Sequence, residues 1–482
     1  MNTWRVRACS CIFSHATALA QLGRTAAPVP LADAVALSGF LDLVPDPRGV
    51  RGRRYRLSAL VAAAAASVLA GARSLTAITE WISDVPAWAC QVLGFPVDPL
   101  SGTVSVPHPH TLRRLLVQLD GDALDRAIGN FLTARAAPAG PGPRAIAVDG
   151  KALRGSRTAT TTYVTLLAAM DHTGHVLAQR QVADKSNEIP AFRPLLDSVD
   201  LTDTVITADA LHTQHAHGTY LRERGAHYIA QVKANHPGLF DRVRRLPWRE
   251  ITLGHYDRTR AHHRLEIRRL KTAAFAHLDY PDARQALHVV RWRADFTTGR
   301  LTIERVYLIT SLPPGAATGA QLADWIRGHW KIENLLHHVR DRTFREDDSK
   351  IHAGHLPRIM AGLRNLAIGA HRQDGHTNIA AALRHTSRDW RRPLTTLGIT
   401  GSTRTDVDHA KDPASATPPE TTCGPSPPSA WHDEPGHKIT SQRPWFRGKG
   451  LRGWRRRHNR FRRSRRHLRV AMARSPRLRI LA

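Results

Sequence analysis

The stretch QLADWIRGHWKIENLLHHVRDRTFREDDSK, residues 321–350, decides how the rest of the chain is read. Trp325, Ile332, Leu335, Leu336 and Val339 recur at helical spacing, flanked by Trp330 and Phe344. The stretch holds no proline and a single glycine, Gly328, so one long amphipathic helix is expected across it. Glu333 and His337 stand at i and i+4, with Arg340 and Asp341 a turn further on. One face of the helix therefore carries a carboxylate among cations. By itself this is a core helix with a salt-bridged outer side. Two aspartates far upstream, each at the end of an expected strand, give the carboxylate a second meaning.

Those strands begin after RAAPAGPGP, residues 135–143, which reads as a hinge between domains. Residues 145–148 are apolar and end on Asp149-Gly150-Lys151. Apolar runs at 163–170 and 175–183 are joined by a hairpin-like Asp171-His172-Thr173-Gly174. A helix over 189–199 is opened by Asn187 and Pro190. A strand at 204–208 ends on Asp209, a helix spans 213–224, and a strand at 228–232 ends at Lys233. This order predicts a mixed sheet with helices on both faces. If the first and fourth strands are neighbours, both aspartates reach one sheet edge, where open α/β sheets place their chemistry. Residues 245–312 then read as an inserted β-rich region, with strands at 263–270, 286–294 and 301–311. In it Arg264, Glu266 and Arg268 share one strand face. Trp248 and Trp292 are either packing residues or platforms for an unpaired base.

The flanks differ in kind. Residues 30–134 read as a small helical domain: an Arg-rich loop at 44–55, an Ala-rich helix at 57–72, a helix at 75–81 capped by Ser74, and a short helix capped by Thr111 that carries Arg113 and Arg114. Basic helix ends suit contact with a DNA backbone. Residues 1–29 and 403–482 are expected to be disordered. The net charge of +30 and pI near 11.3 suit a polyanionic partner, most simply nucleic acid. About half of that charge lies in 441–482, which has no acidic residue and interleaves Trp445, Phe446, Trp454 and Phe461. That tail is either a non-specific nucleic-acid binder or an extension without function. Four cysteines without a CxxC pair fit a reducing compartment and argue against structural zinc. With no convincing secretory signal, and with Leu57–Ala72 too short to span a bilayer, a cytoplasmic, nucleoid-associated protein without a membrane partner is expected.

Three carboxylates, Asp149, Asp209 and Glu333, brought to one sheet edge can hold two Mg²⁺ ions, with Mn²⁺ as a substitute, because hard cations take oxygen ligands. Two such ions stabilise the attacking and leaving oxygens of an in-line phosphoryl displacement. Longer motifs surround these residues: VPDPRGVRGRRY (44–55), LAGARSLTAITEW (69–81), AVDGKALRGS (147–156), VADKSNEIP (182–190), ITADALHTQ (206–214), YIAQVKANHP (228–237) and RGHWKIENLLHHVRDRTFREDDS (327–349). On these motifs residues 30–400 resemble the DDE transposases of bacterial insertion sequences, in the ISAs-type or H-repeat-associated group.

The resemblance implies a ribonuclease-H-like catalytic core over 144–400, with the β insertion at about 245–312 lying between the second Asp and the Glu. It implies Mg²⁺-dependent cleavage and joining of the element's own ends by two-metal phosphoryl transfer, with Asp149, Asp209 and Glu333 as catalytic metal ligands. Lys151, Lys185, Asn187, His212, Gln214 and Lys233 fall within matching motifs and are expected to contact DNA or the metal shell. Broader relatives carry a Tyr and an Arg before the Glu and a Lys after it; this chain has Ile326, His329 and Arg340. The Tyr is lost, while His329 and Arg340 keep a cation for DNA phosphate. The implied partners are double-stranded DNA, as terminal inverted repeats and target, and a second protomer in a synaptic homodimer. Two other readings stand beside this one: a catalytically inactive DNA-binding relic and a stand-alone nuclease. Glu346, Asp347 and Asp348 are rival carboxylates, expected to lie about 20 Å beyond Glu333 along an unbroken helix.

Overall fold

The computed structural model describes residues 35–399 apart from 138–139, 141, 159–162, 184–185 and 276. The expectations for 1–29, 403–482 and Lys185 lie outside the described residues.

The strands are β1 (Arg144–Leu153), β2 (Val164–Asp171), β3 (Val176–Gln181), β4 (Thr204–Ala208), β5 (His227–Val232), β6 (Leu253–Ala261), β7 (Arg264–Ala274), β8 (Gln285–Asp295) and β9 (Leu301–Thr310). They form one nine-stranded sheet in the order β3-β2-β1-β4-β5-β9-β8-β7-β6. β1, β4 and β5 are parallel and every other pairing is antiparallel. The expected neighbouring of the first and fourth strands therefore holds, with Val148 opposite Ala208. β1 nevertheless runs four residues past Asp149. Pairing with β4 stops at Val148, and beyond it β1 pairs with β2 alone. Asp149 thus lies within a strand, at the point where its parallel neighbour leaves.

Both faces of the sheet are covered, as the alternation along β1 requires. Ile146 and Val148 pack with Phe192 and Tyr220 of α7 (Ile189–Leu196) and α8 (His215–Glu223). Ala145 and Ala147 face the other way. Ala145 packs with Leu322 and Trp325 of α10 (Gly319–Gly328), and Ala147 joins the core that holds Ile332 and Leu336. Among the strands and the helices that connect them, α9 (Pro237–Arg244) and strand β6 were not expected from the sequence.

The N-terminal helices are α1 (Leu37–Leu41), α2 (Leu57–Leu69), α3 (Leu75–Asp84), α4 (Ala87–Val92), α5 (Pro109–Gln118) and α6 (Gly121–Arg135). Ser74 caps α3 as expected, accepting from the Ala77 amide at 3.1 Å. The cap of α5 is His108, with Pro109 at the first position, instead of Thr111. α2 is buried along its whole length, as a helix apolar on every side must be. It shares one core with α12 (Leu356–Gln373), Ile332 and Leu336. α13 (Ile379–Thr386) and α14 (Arg391–Thr396) close the described chain.

The single long helix expected over 321–350 is divided. α10 stops at Gly328, where a Cβ would collide with the buried His172 ring. A π-helical turn spans Glu333–His337, then α11 (His338–Arg342) ends. Arg345 takes a left-handed φ of 54° and a 3₁₀ turn, Glu346–Asp348, doubles back. The cause is tertiary. The buried Glu346 carboxylate accepts from Arg340 Nε at 2.9 Å and from Arg364 Nη1 at 2.7 Å. Burial alone would raise its pKa, but the two guanidiniums hold it at about 2. The unbroken helix on which the expected 20 Å separation of the rival carboxylates from Glu333 rested is therefore not formed.

Removing one member of a buried ion cluster leaves its partners uncompensated. Glu346→Ala is expected to lose about 3–5 kcal/mol of unfolding free energy in urea titrations. A loss no larger than that of a surface substitution contradicts the structural role given to this turn.

Candidate active site

The parallel register carries Asp149 and Asp209 as successive positions on adjacent strands, one step past the Val148–Ala208 pair. Residues in register point to the same side of a sheet, here the side of α10 and the π turn. The 3₁₀ turn Ala210–His212 follows β4 at once, and Asp209 accepts the Leu211 amide at 3.0 Å. The π turn buries Leu336 in the core and turns Glu333 and His337 towards β1. His337 Nδ1 donates to Glu333 at 3.1 Å and lies 3.6 Å from Asp149 Oδ2. Ligand atoms of Asp149, Glu333 and His337 all lie within 4.8 Å of one another. Asp209 is outside that group but close enough for its charge to act on Asp149.

Burial pushes the Asp149 carboxyl up to about 6 against the pull of His337, and the charges of Glu188 and Asp209 push the same way. The hydrogen bond from His337 holds the Glu333 carboxyl below its usual range. The site thus crowds acidic groups around a buried imidazole whose Nε2 has no partner among the described residues. Its donors are mainly carboxylate oxygens, the set a hard divalent cation requires.

The structure distributes the other predicted residues unevenly. Lys233 is exposed just past β5, at the edge that carries Asp209. Asn187 is exposed, and its side chain accepts the Ile189 amide at 3.1 Å. Gln214 bonds the Leu211 carbonyl at 3.0 Å. Lys151, expected at DNA, is instead tied to Asp341 at 2.7 Å and lies 3.9 Å from Asp347. Arg340, expected at phosphate, is fully buried against Glu346. His329 turns inward to Thr207 at 3.4 Å, and burial pushes its pKa down. His212 is buried and stacks near Phe192, with Nε2 3.3 Å from Glu188.

Two site residues were missed by sequence reasoning. His337 had a signal, its i to i+4 spacing from Glu333. Glu188 had only its place inside VADKSNEIP. Its carboxyl lies over Gly150, where any Cβ would collide with it. A Cβ after Asp149 would displace the Glu188 carboxyl from this position.

The Transposase DDE domain family matches residues 140–368, and the DDE_Tnp_1-associated family matches residues 39–132. The chain belongs to the DDE transposases of insertion sequences. An "Uncharacterized protein in dhlA 3'region" of Xanthobacter autotrophicus is 32% identical over 208 residues, 42% of this chain and 68% of that protein. The "Putative transposase YncI" of Escherichia coli O157:H7 is 25% identical over 354 residues, 69% of this chain and 86% of its own. The "H repeat-associated putative transposase YhhI" of Escherichia coli K12 is 28% identical over 248 residues, 46% and 62%. In this transposase family member no helix among the described residues is long and apolar enough to cross a membrane.

A carboxyl raised from 3.8 to about 6 by burial weakens the fold once ionised. Its cost is absent below its unfolded value, grows between about pH 4 and pH 6, and is constant above. In a metal chelator, Asp149→Asn is expected to melt higher than the parent at pH 7.5, with the gap closing as pH falls to 4. A gap that does not change with pH contradicts the raised value.

Proposed function

We propose that the chain is an active DNA transposase that cuts and joins the ends of its own insertion sequence. The observation that carries this is the convergence of Asp149 on β1 with Glu333 on the π turn, beside Asp209 in the adjacent register position. We read the sheet as a ribonuclease-H-like core interrupted by β6–β9. In this reading Asp149, Asp209 and Glu333 hold two Mg²⁺ ions, or Mn²⁺ in their place. Bound metal supplies charge stabilisation for the attacking and leaving oxygens of phosphoryl transfer.

The chain's own groups prepare the site. His337 fixes the Glu333 carboxylate through its hydrogen bond. His212 orients Glu188, which adds a fourth carboxylate beside Gly150. Lys151 keeps Asp341 and Asp347 engaged away from the cluster, so that these acids do not compete for the cations. Lys233 and Asn187, exposed around the site, meet the DNA backbone. The substrate is duplex DNA at the terminal inverted repeats and at the target. Pairing two ends calls for two protomers. The basic charge of the chain attracts the polyanion and makes binding salt-dependent.

The purified chain is expected to nick or cut DNA flanking its own gene with Mg²⁺ and not with a chelator. Asp149→Ala, Asp209→Ala and Glu333→Ala are each expected to abolish strand cleavage while leaving DNA affinity within a few-fold of the parent. Full cleavage by all three variants rejects the site. A parent that binds the ends without cutting them is the inactive relic. Cutting without end preference or joining identifies a stand-alone nuclease.

A further inference from the structure

The four-stranded ribbon β6–β9 has two faces of opposite electrical character. Antiparallel register assigns each side chain to one of them. On one face lie all the acids of its strands, Asp257, Glu266, Asp295 and Glu304, together with Arg264, Arg268, Arg291 and Arg293. These pair with one another: Arg268 with Asp257 at 3.0 Å, Arg293 with Glu266 at 2.7 Å, and Arg291 with Glu304. Arg327 of α10 adds a contact to Asp257 at 3.4 Å. That face is neutralised internally.

The other face carries Arg258, Arg260, Arg269 and Arg305 and no acid. None of these four has an ion pair or hydrogen-bond partner among the described residues. All four are exposed. Arg269 instead lies over the Trp292 ring at 5.2 Å and the Tyr256 ring at 5.9 Å, and Arg260 lies over Phe296 at 4.9 Å. A guanidinium held on an aromatic face loses little further freedom on binding, and its N–H edge stays available for phosphate. Trp248, the other candidate platform, is buried and donates to the Val243 carbonyl at 2.9 Å, so it packs the inner end of this face.

The ribbon meets the site at the sheet edge: its arginine face continues the α7–α8 side of the sheet, with Ala286 and Ile309, and its neutral face continues the α10 side, with Leu287 and Leu308. β9 leaves β5 at the Tyr307–Val232 pair and begins at Leu301, roughly 20 Å further out at strand rise. The direction is past the carboxyl ends of β4 and β5, the edge that carries Asp209 and Lys233. The ribbon therefore projects beyond the edge that carries the site.

We propose that the arginine face of the β6–β9 ribbon, Arg258 and Arg305 together with Arg260 and Arg269 on Phe296, Trp292 and Tyr256, is the track for the phosphate backbone of the DNA duplex outside the reacting bond. It rests on the transposase reading and adds to it where the substrate runs. The charge asymmetry selects a polyanion. The rings position Arg260 and Arg269 and are already covered by them, which favours backbone contact over base stacking.

The test uses the full chain and a short fluorescein-labelled duplex from the end of the element, titrated by anisotropy over a range of salt. Arg258→Ala with Arg305→Ala, two exposed residues without a side-chain partner among the described residues, is expected to reduce the steepness of the salt slope by about one per arginine and weaken binding roughly tenfold or more near physiological salt. Arg291→Gln with Glu304→Gln on the opposite face is expected to leave the slope unchanged. Ile303→Cys, carrying a photo-crosslinker, is expected to label the duplex, so the proposal does not depend on one variant. If the parent cuts DNA with Mg²⁺ while the slope is unchanged and no crosslink forms, the track is wrong and the transposase reading stands. If the parent neither binds nor cuts the duplex, both fall. If the face variants lose dimer mass in light scattering with DNA affinity unchanged, the face serves a second copy and the proposal is overturned.

Discussion

The site depends on the seating of one short π turn against one strand. Leu336 and Ile332 are buried in the core shared with α12 and the N-terminal helices, and this fixes Glu333 and His337 over β1. A π turn is uncommon and is found mostly as a single turn at functional positions. Its boundaries are held by contacts at both ends. Gly328 lets the chain approach His172 closely before the turn, and Glu346 clamps Arg340 and Arg364 after it. The N-terminal helices are therefore part of the support for the carboxylates, since their core is the one that anchors the turn.

Against this scaffold the acidic groups are placed at a cost. Asp149 is half-buried with Asp209 and Glu188 nearby, and its carboxyl stays raised against the pull of the His337 imidazole. Such an arrangement is unfavourable for a structural role alone, and raised carboxyls in a cleft are characteristic of functional sites. In the proposed function bound cations relieve that repulsion. The ribbon shows the complementary feature, positive charge that no acid among the described residues neutralises.

The sheet was legible because its signals are local. Short apolar runs ending on Asp149, Asp209 and Lys233 marked β1, β4 and β5, and their order implied the shared edge. β6 was missed because Leu253–Ala261 alternates polar with polar, Asp257 and Thr259 against Arg258 and Arg260, so it lacks an apolar period. The helix over 321–350 was read too long for the opposite reason. Phe344 continues the apolar stripe, and the break is imposed by Arg364, a residue outside the stretch. Arg340 and Lys151 looked like free cations in the sequence; their partners, Glu346, Asp341 and Asp347, become visible only once the chain doubles back. Glu188 was hidden inside a motif whose other polar residues seemed better candidates, because its approach to Gly150 is set by the packing of α7 on the sheet.

The central claim is that Asp149, Asp209 and Glu333 share divalent cations. Anomalous diffraction from crystals of the full chain grown with Mn²⁺ and a DNA end tests it most directly. The account predicts manganese peaks coordinated by carboxylate oxygens of all three residues. Manganese absent from this edge of the sheet, or bound only by Asp341, Asp347 and Asp348, contradicts it.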